Sequence, residues 1–217
     1  VESHRQQPFF LFVSYDAPHY ARKGVLQAPQ SHVSKFTKNK DKSSMRELYA
    51  AMVSCMDDGI GELLACLDKN GMEANTFMMF VSDNGADPKH GGSNTPLSGG
   101  KWTTKEGGIR VPMVAHWPAR IADKGAVRGE WVHVTGVMPM LLELLGLDYR
   151  RQFNGYRTCT LNGVSFLDIL LDRGAKTKRS EQYYELEGNR GYISGKWKIA
   201  SLQPPGEKIN LDNWLLF

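Results

Sequence analysis

Residues 76–112 read TFMMFVSDNGADPKHGGSNTPLSGGKWTTKEGGIRVP, and the expected fold is built outward from this stretch. It opens with a continuous apolar run, residues 77–81, which is too short for most helices and ends in turn residues. Such a run is typical of an interior strand of a parallel sheet. Residues 107–108 are both glycine, which allows a tight turn before a second predicted strand over residues 109–117.

Polar residues follow the first of these strands directly, in the order Ser82-Asp83-Asn84-Gly85. In open α/β sheets, ligand sites lie in the crevice beyond the carboxyl ends of the strands. Asp83 and Asn84 would place two oxygen donors there, which suits Ca²⁺ or Mg²⁺. Lys101, at the end of the glycine-rich loop, could hold an oxyanion. The alternative is an ordinary Asp-Asn-Gly turn with a solvated lysine nearby.

An earlier apolar run, residues 8–15, predicts another buried strand of the same sheet. His19 follows it closely, so its imidazole could reach the crevice and transfer a proton near neutral pH. The alternative for His19 is a hydrogen-bonded surface histidine in a loop.

The clearest helix is predicted after Ser44-Met45-Arg46-Glu47, a capping box, and it ends at Asn70-Gly71. Asp57 and Asp58 lie within it, but adjacent helical residues point about 100° apart and do not easily share a metal. We therefore expect a structural role for both. The basic run at residues 35–42 is expected to be a solvated loop.

The rest of the chain predicts a short helix at residues 137–145, with Thr135 as its N-cap and Gly146 as its stop, and a helical tail at 164–171. Three aromatic segments, residues 182–185, 190–193 and 196–199, predict a small antiparallel sheet. We place the domain boundary between residues 1–177 and 178–217. Arg190 could line a substrate pocket, although a structural ion pair is the favoured alternative.

Composition excludes several classes of protein. The net charge of +4 over 217 residues is too small to indicate nucleic-acid binding, and no apolar run is long enough to span a membrane. Three cysteines give no disulfide framework. Cys55 and Cys66 are expected in a helix, too far apart to bridge, and Cys159 could be free or could pair outside this chain.

These motifs together resemble the sulfatase family of the alkaline-phosphatase superfamily. That family carries S-D-N-G after a strand, then G-S-N-x-P-L-x-G-x-K, then E-G-G-x-R-V-P, which here are residues 82–85, 92–101 and 106–112. It also carries P-F-F-L and A-P-H, found here within residues 8–19. Its C-terminal subdomain carries Y-E-x-x-G-N-R and G-x-W-K, found here within residues 184–198.

The resemblance implies an α/β fold: an alkaline-phosphatase-like, mostly parallel sheet with helices on both faces, of which this chain is a part, plus a small C-terminal antiparallel sheet. It implies that His19 faces the sulfate ester and protonates the leaving oxygen, and that Lys101 binds the sulfate. Asp83 and Asn84 would help to hold a divalent cation, Ca²⁺ before Mg²⁺. A periplasmic, secreted or lysosomal location is also implied.

The nucleophile of the family is a formylglycine made from the Cys or Ser of C/S-x-P-x-R, and neither residue type stands in that motif here. We therefore expect the nucleophile, with further metal ligands, in an upstream segment, so that this chain is the C-terminal portion of a sulfatase and inactive alone. The expected substrate is a sulfated small molecule or glycan. Two alternatives remain: a phosphate or phosphonate ester hydrolase of the same superfamily, and an inactive fragment acting as a binding module.

Overall fold

A computed structural model of the chain describes residues 1–38, 43–204 and 206–217. The helices are α1 (Gln30–Phe36), α2 (Met45–Lys69), α3 (Glu106–Ile109), α4 (Val137–Leu145) and α5 (Leu167–Leu171). The strands are β1 (Met78–Val81), β2 (Met113–His116), β3 (Gln152–Phe153), β4 (Tyr156–Arg157), β5 (Glu181–Leu186), β6 (Asn189–Ser194), β7 (Trp197–Ser201) and β8 (Leu215–Leu216). Every helix within the described ranges is too short or too polar to cross a bilayer.

Helix α2 begins and ends as predicted. The Ser44 side chain accepts a hydrogen bond from the Glu47 amide, and the Glu47 carboxylate accepts one from the Ser44 amide at 2.7 Å. These two bonds satisfy amides that have no partner within the helix. At the other end, Gly71 takes a left-handed φ of 66°, a conformation that glycine adopts without steric cost. The helix therefore runs directly into the turn that precedes β1.

The polar face of α2 confirms the structural role expected for Asp58. His32 Nε2 lies 2.8 Å and Lys35 Nζ 3.4 Å from Asp58 Oδ2, so two residues of α1 hold this carboxylate. Lys35 thus belongs to a helix rather than to the predicted basic loop, and residues 39–42 of that run lie outside the described residues. The three cysteines are free thiols, and Cys159 is exposed.

Strand β1 forms where the central motif predicts it, whereas β2 begins at Met113 rather than at residue 109, because residues 106–109 form α3. The two strands pair antiparallel. Among the described residues β2 is the sole partner of β1, so the parallel neighbours expected for an interior strand are not seen here. The strand predicted over residues 8–15 is not formed, because no partner strand lies beside it in the described part of the chain. Its large apolar side chains stay exposed: Phe10, Leu11, Phe12, Val13 and Tyr15.

The core lies between the β1–β2 pair and the two short C-terminal helices. Met140 of α4 is fully buried, and it packs with Phe166, Ile169 and Leu170 of the α5 region. Met79 and Met113 reach this cluster from β1 and β2. Burial of such side chains is the main favourable contribution to folding. The core therefore supports, from behind, the strand that leads into Asp83 and Asn84.

Helix α4 has the predicted bounds but not the predicted N-cap. Residues Val134–Gly136 form a 3-10 turn ahead of the helix, so Gly136 occupies the N-cap position and Thr135 lies inside that turn. The predicted C-terminal sheet is confirmed as four antiparallel strands in the order β5-β6-β7-β8. Residues 148–163 contain the small β3–β4 hairpin. The domain boundary at residue 177 stays a prediction.

Glycines allow the backbone of the central motif to pack against itself. A Cβ added to Gly85 would lie 1.7 Å from the carbonyl oxygen of Gly107, and one added to Gly107 would lie 2.3 Å from that of Gly99. The Gly85 amide donates to the Gly108 carbonyl at 2.8 Å. Because a side chain at either position would collide with main chain, these approaches require glycine. They fix the turn after β1 against α3.

The C-terminal sheet holds the far side of the same loop. Lys198 of β7 lies with its ammonium 2.8 Å from Glu106 Oε1, and the Lys198 side chain is only 8% exposed. Thr104 is buried and donates from its hydroxyl to the Arg190 carbonyl at 3.0 Å. These contacts tie the loop that carries Lys101 to strands β6 and β7.

We expect Gly85→Ala to destabilise the protein by about 1–3 kcal/mol, because its Cβ meets backbone that cannot rotate away. Gly61→Ala is the matched control, since a Cβ there meets nothing within 4 Å inside α2. That variant should gain about 0.5–1 kcal/mol from helix propensity. Urea unfolding of the two variants measures both effects, and equal stabilities would contradict the close approach at Gly85.

Glu106→Gln should cost about 1–2 kcal/mol of folding stability, less than the 3–5 kcal/mol of a fully buried pair because Glu106 is 37% exposed. Glu130→Gln is the control, since its partner Lys176 is 82% exposed and such pairs contribute ~0–1 kcal/mol. Thermal or urea unfolding compares the two. A larger loss in Glu130→Gln would contradict the role given to the Lys198 pair.

Candidate functional site

The loop between β1 and Lys101 is organised by the side chain of Asn94. Its Oδ1 accepts from the Ala86 amide at 2.9 Å, and its Nδ2 donates to the carbonyls of Ala86 at 2.8 Å and Gly99 at 3.2 Å. One amide side chain thus satisfies three backbone groups of a loop that has no ladder of its own. Asn94 lies within the G-S-N motif of the sequence, but its individual role follows only from these contacts.

Asp83 and Asn84 lie at the carboxyl end of β1, as predicted. Asp83 is exposed, and Asn84 Nδ2 donates a hydrogen bond to Asp83 Oδ2. Both residues line a groove of about 1370 Å³, together with Trp102 and part of the β2 region. Carboxylate and amide oxygens suit Ca²⁺ or Mg²⁺, but Ca²⁺ takes six to eight oxygen ligands. Within the described part of the chain, no group of three or more His, Cys, Asp or Glu could hold a metal ion.

His19 and Lys101 meet although they are far apart in the sequence. Lys101 Nζ lies 3.0 Å from His19 Nε2, and His19 Nδ1 lies 2.8 Å from the Tyr20 carbonyl oxygen. A carbonyl only accepts, so the hydrogen of the neutral ring is on Nδ1, and Nε2 accepts from the ammonium group. The atom of His19 that could carry a transferable proton therefore lies beside the cation that could bind an anion.

The two possible metal ligands, Asp83 and Asn84, are connected through the backbone to Lys101, which contacts His19. The Lys101 amide donates to the Ala86 carbonyl at 3.1 Å, and Ala86 follows Asn84 by two residues, which span at most ~7 Å. His19 and Lys101 are not among the residues that line the 1370 Å³ groove, whereas Trp102 is. Asp83, Asn84 and Lys101 thus belong to one loop, and His19 contacts that loop at Lys101. His19 and Lys101 lie outside the groove that Asp83 and Asn84 line.

A stack of three rings, which sequence reasoning did not identify, lies beside His19. The Tyr20 ring stacks on His19 at 4.4 Å between centroids and on His90 at 3.8 Å. His90 Nδ1 donates to Asp87 Oδ2 at 2.8 Å. Burial alone would raise the pKa of the Asp87 carboxyl, but hydrogen bonds from His90 and the Lys89 amide outweigh it and hold that pKa below its usual value. The one signal in the sequence is the Asp-x-x-His spacing within the motif loop.

Trp102 has an unusual backbone conformation next to Lys101. Its φ is 71°, a region that bulky residues rarely adopt, and its side chain is 55% exposed. The Asn189 side chain donates to the Trp102 carbonyl at 3.2 Å. Residues in such conformations persist where their surroundings hold them, and they cluster at functional sites.

Arg190 points away from these residues. Its Nη2 donates to the Asn210 carbonyl at 2.6 Å and to Ser201 Oγ at 3.3 Å, and its guanidinium lies 4.7 Å from the Trp214 ring centroid. These partners are neutral, and no ion pair of Arg190 is found among the described residues. The structural ion pair expected for Arg190 is therefore wrong, because its side chain makes neutral contacts instead. A role of Arg190 in substrate binding stays a prediction.

Comparison with known proteins places this site in a family. The model of the family described as Sulfatase matches residues 1–147, a range that holds His19, Asp83, Asn84 and Lys101. Arylsulfatase J of Mus musculus is 38% identical over 152 residues, which is 69% of this chain and 24% of the relative. N-acetylgalactosamine-6-sulfatase of Rattus norvegicus is 39% identical over 150 residues, 66% of this chain and 26% of the relative.

The fold also agrees with a solved structure. The crystal structure of Ps i-CgsB in complex with k-i-k-neocarrahexaose matches with a TM-score of 0.78 and 30% sequence identity over 98% of this chain. The predicted fold class, part of an alkaline-phosphatase-like α/β fold with a small antiparallel sheet, is confirmed. This chain covers 44% of that structure and about a quarter of the two curated relatives. The chain belongs to the sulfatase family.

Proposed function

We propose that the full-length protein hydrolyses a sulfate ester, and that this chain supplies the part of the active site that binds sulfate and protonates the leaving alcohol. The observation that carries the proposal is the 3.0 Å approach of Lys101 Nζ to His19 Nε2. It joins a fixed positive charge to a proton carrier at one point, and both residues lie in the range that matches the sulfatase family.

Lys101 binds a non-bridging oxygen of the sulfate, where its ammonium stabilises the negative charge of the transition state. In the substrate complex the sulfate oxygen replaces His19 Nε2 as the acceptor for the Lys101 ammonium, and Nε2 then carries the proton that His19 donates. As the bond between sulfur and the alcohol oxygen breaks, the electron pair stays on that oxygen, and the proton on Nε2 moves to it. His19 is left as the neutral tautomer with its hydrogen on Nδ1, the form that donates to the Tyr20 carbonyl.

Asp83 and Asn84 supply two ligands of a divalent cation, with Ca²⁺ as the first candidate and Mg²⁺ as the second. When bound, the cation would neutralise charge on the sulfate and orient the nucleophile. Two oxygen donors fit part of such a site, so the remaining ligands come from elsewhere in the full-length protein. The hydrogen bond from Asn84 to Asp83 sets these donors side by side.

The nucleophile comes from outside this chain. None of the three cysteines and no serine begins the C/S-x-P-x-R motif that yields formylglycine in sulfatases. A formylglycine in the rest of the full-length protein would supply the attacking oxygen. The short reach of this chain along its relatives, about a quarter of their length, leaves room for that segment.

The substrate we propose is a sulfated sugar. Support comes from relatives whose names refer to N-acetylgalactosamine-6-sulfate and from a fold neighbour solved with a neocarrahexaose. The groove beside Asp83 and Trp102 is large enough for more than the sulfate group alone.

The full-length protein should release sulfate from at least one member of a panel of sulfated sugars and aryl sulfates. It should turn over the matching phosphate and phosphonate esters more slowly. The isolated 217-residue chain should release none, because it holds too few metal ligands. Ion chromatography of the released sulfate, phosphate and phosphonate measures these rates. Faster phosphate or phosphonate turnover would instead favour the related hydrolase class, and no turnover by the full-length protein would favour a binding module.

His19→Ala in the full-length protein should lower kcat by about 10²–10⁴-fold, the usual contribution of a general acid. The loss should shrink for aryl sulfates with acidic phenols, because their leaving oxygen needs less protonation. His32→Ala is the control, since that imidazole pairs with Asp58 on the surface of α2. An equal loss for all leaving groups would contradict the assignment of His19 as the acid.

A further inference from the structure

We propose that Tyr20, His90 and Asp87 form a positioning unit that holds the His19 imidazole against Lys101. This inference rests on the proposed function, because it assigns residues that act through the general acid of that reaction. None of the three would touch the ester itself, so each is a positioning residue rather than a catalytic one. The Tyr20 ring also lies beside Lys101, with its centroid 5.8 Å from Nζ.

The first step of the argument concerns the tautomer of His19. Its Nδ1 donates to the carbonyl of Tyr20 at 2.8 Å, and this bond directs Nε2 toward Lys101. A second bond on one imidazole nitrogen fixes what the other nitrogen can do. The orientation of the acid therefore depends on where the Tyr20 backbone is held.

The second step concerns what holds Tyr20. Its ring is stacked between two imidazoles, with centroid distances of 4.4 Å to His19 and 3.8 Å to His90 and interplanar angles of 27° and 22°. Such aromatic contacts are worth about 0.5–1.5 kcal/mol beyond the area they bury. The segment that carries His19 has no strand neighbour among the described residues, so this stack is one of the few contacts that fix it.

The third step concerns the other end of the stack. His90 donates to Asp87, whose second oxygen accepts from the Lys89 amide at 2.9 Å, so the outer imidazole is fixed to the motif loop. Gly24, with φ of 73°, passes close enough that a Cβ there would lie 3.0 Å from His90 Nε2. The residues after Tyr20 thus wrap around the same imidazole.

The outcome is a connection between two distant parts of the sequence. Asp87 follows Ala86, whose carbonyl accepts from the Lys101 amide at 3.1 Å. The stack therefore ties the segment of His19 to the loop that positions Lys101. A displacement of about 1 Å in a catalytic group can cost roughly 10²-fold in rate, which sets the scale for losing this connection.

The test is a double-mutant cycle in the full-length protein, run on whichever ester the panel above identifies. Tyr20→Ala should lower kcat by roughly 10- to 100-fold with KM nearly unchanged. Tyr20→Phe keeps the ring and should stay within about 3-fold of the parent. Tyr156→Ala, at a tyrosine that is 80% exposed, is the matched control and should have no effect.

The decisive comparison adds Tyr20→Ala to His19→Ala. If Tyr20 acts through His19, the double variant should match His19→Ala alone within about 2-fold, because residues that act as a unit are not additive. The inference would be overturned if the fold losses in kcat of Tyr20→Ala and His19→Ala multiplied in the double variant. Full activity of Tyr20→Ala would also overturn it.

His90→Ala provides the same comparison should Tyr20→Ala fail to fold, and it should lower kcat in the same non-additive way. Activity of the parent protein on sulfate esters is read separately and decides the proposed function. A parent that hydrolyses no ester would remove the basis of both. If the parent hydrolyses esters but the losses of the two single variants multiply in the double variant, only the positioning unit would be removed.

Discussion

The site depends on a backbone contact that only glycine permits. The chain at Gly85 passes so close to Gly107 that no side chain fits between them, and Gly107 in turn lies against the carbonyl of Gly99. Three passes of the chain are therefore held in close main-chain contact, and the Asn94 side chain bonds two of them. Because Asp83 and Asn84 stand directly before the pass at Gly85, and Lys101 stands two residues after the pass at Gly99, the contact decides where each of these side chains begins.

The position of His19 in the candidate site has a different origin. His19 lies 82 residues from Lys101 in the sequence, on a segment with few regular backbone partners in the described part of the chain. Its place is set by the ammonium of Lys101 on one ring nitrogen, the Tyr20 carbonyl on the other and the Tyr20 ring stacked beside it. The loop is thus fixed by backbone packing, whereas the histidine is fixed by a small number of polar and aromatic contacts.

This difference explains how far the sequence could predict the structure. The capping box of α2, the hairpins of the C-terminal sheet and the bounds of α4 depend on residues close in sequence, and all were predicted. The strand expected at residues 8–15 needs a partner strand, which its own apolar pattern does not supply. The stack of Tyr20 on His90 depends on the approach of two loops, which no spacing within either loop reveals. The prediction of Thr135 as the N-cap of α4 was wrong. Thr135 lies inside a 3-10 turn, and the N-cap is the next residue, Gly136.

The residues found here divide a sulfatase active site in a chemically sensible way. A cation, a proton carrier and two oxygen ligands are present, and each acts on the sulfate or on the leaving alcohol under the proposed function. Under the proposed function, a nucleophile would attack the sulfur atom from the side opposite the leaving alcohol, since the attacking and leaving groups must lie roughly in line. The other metal ligands would complete the shell of the cation that Asp83 and Asn84 help to hold. Lys101 and His19 hold one side of that arrangement. Under the proposed function, catalysis still requires the groups that face them across the ester.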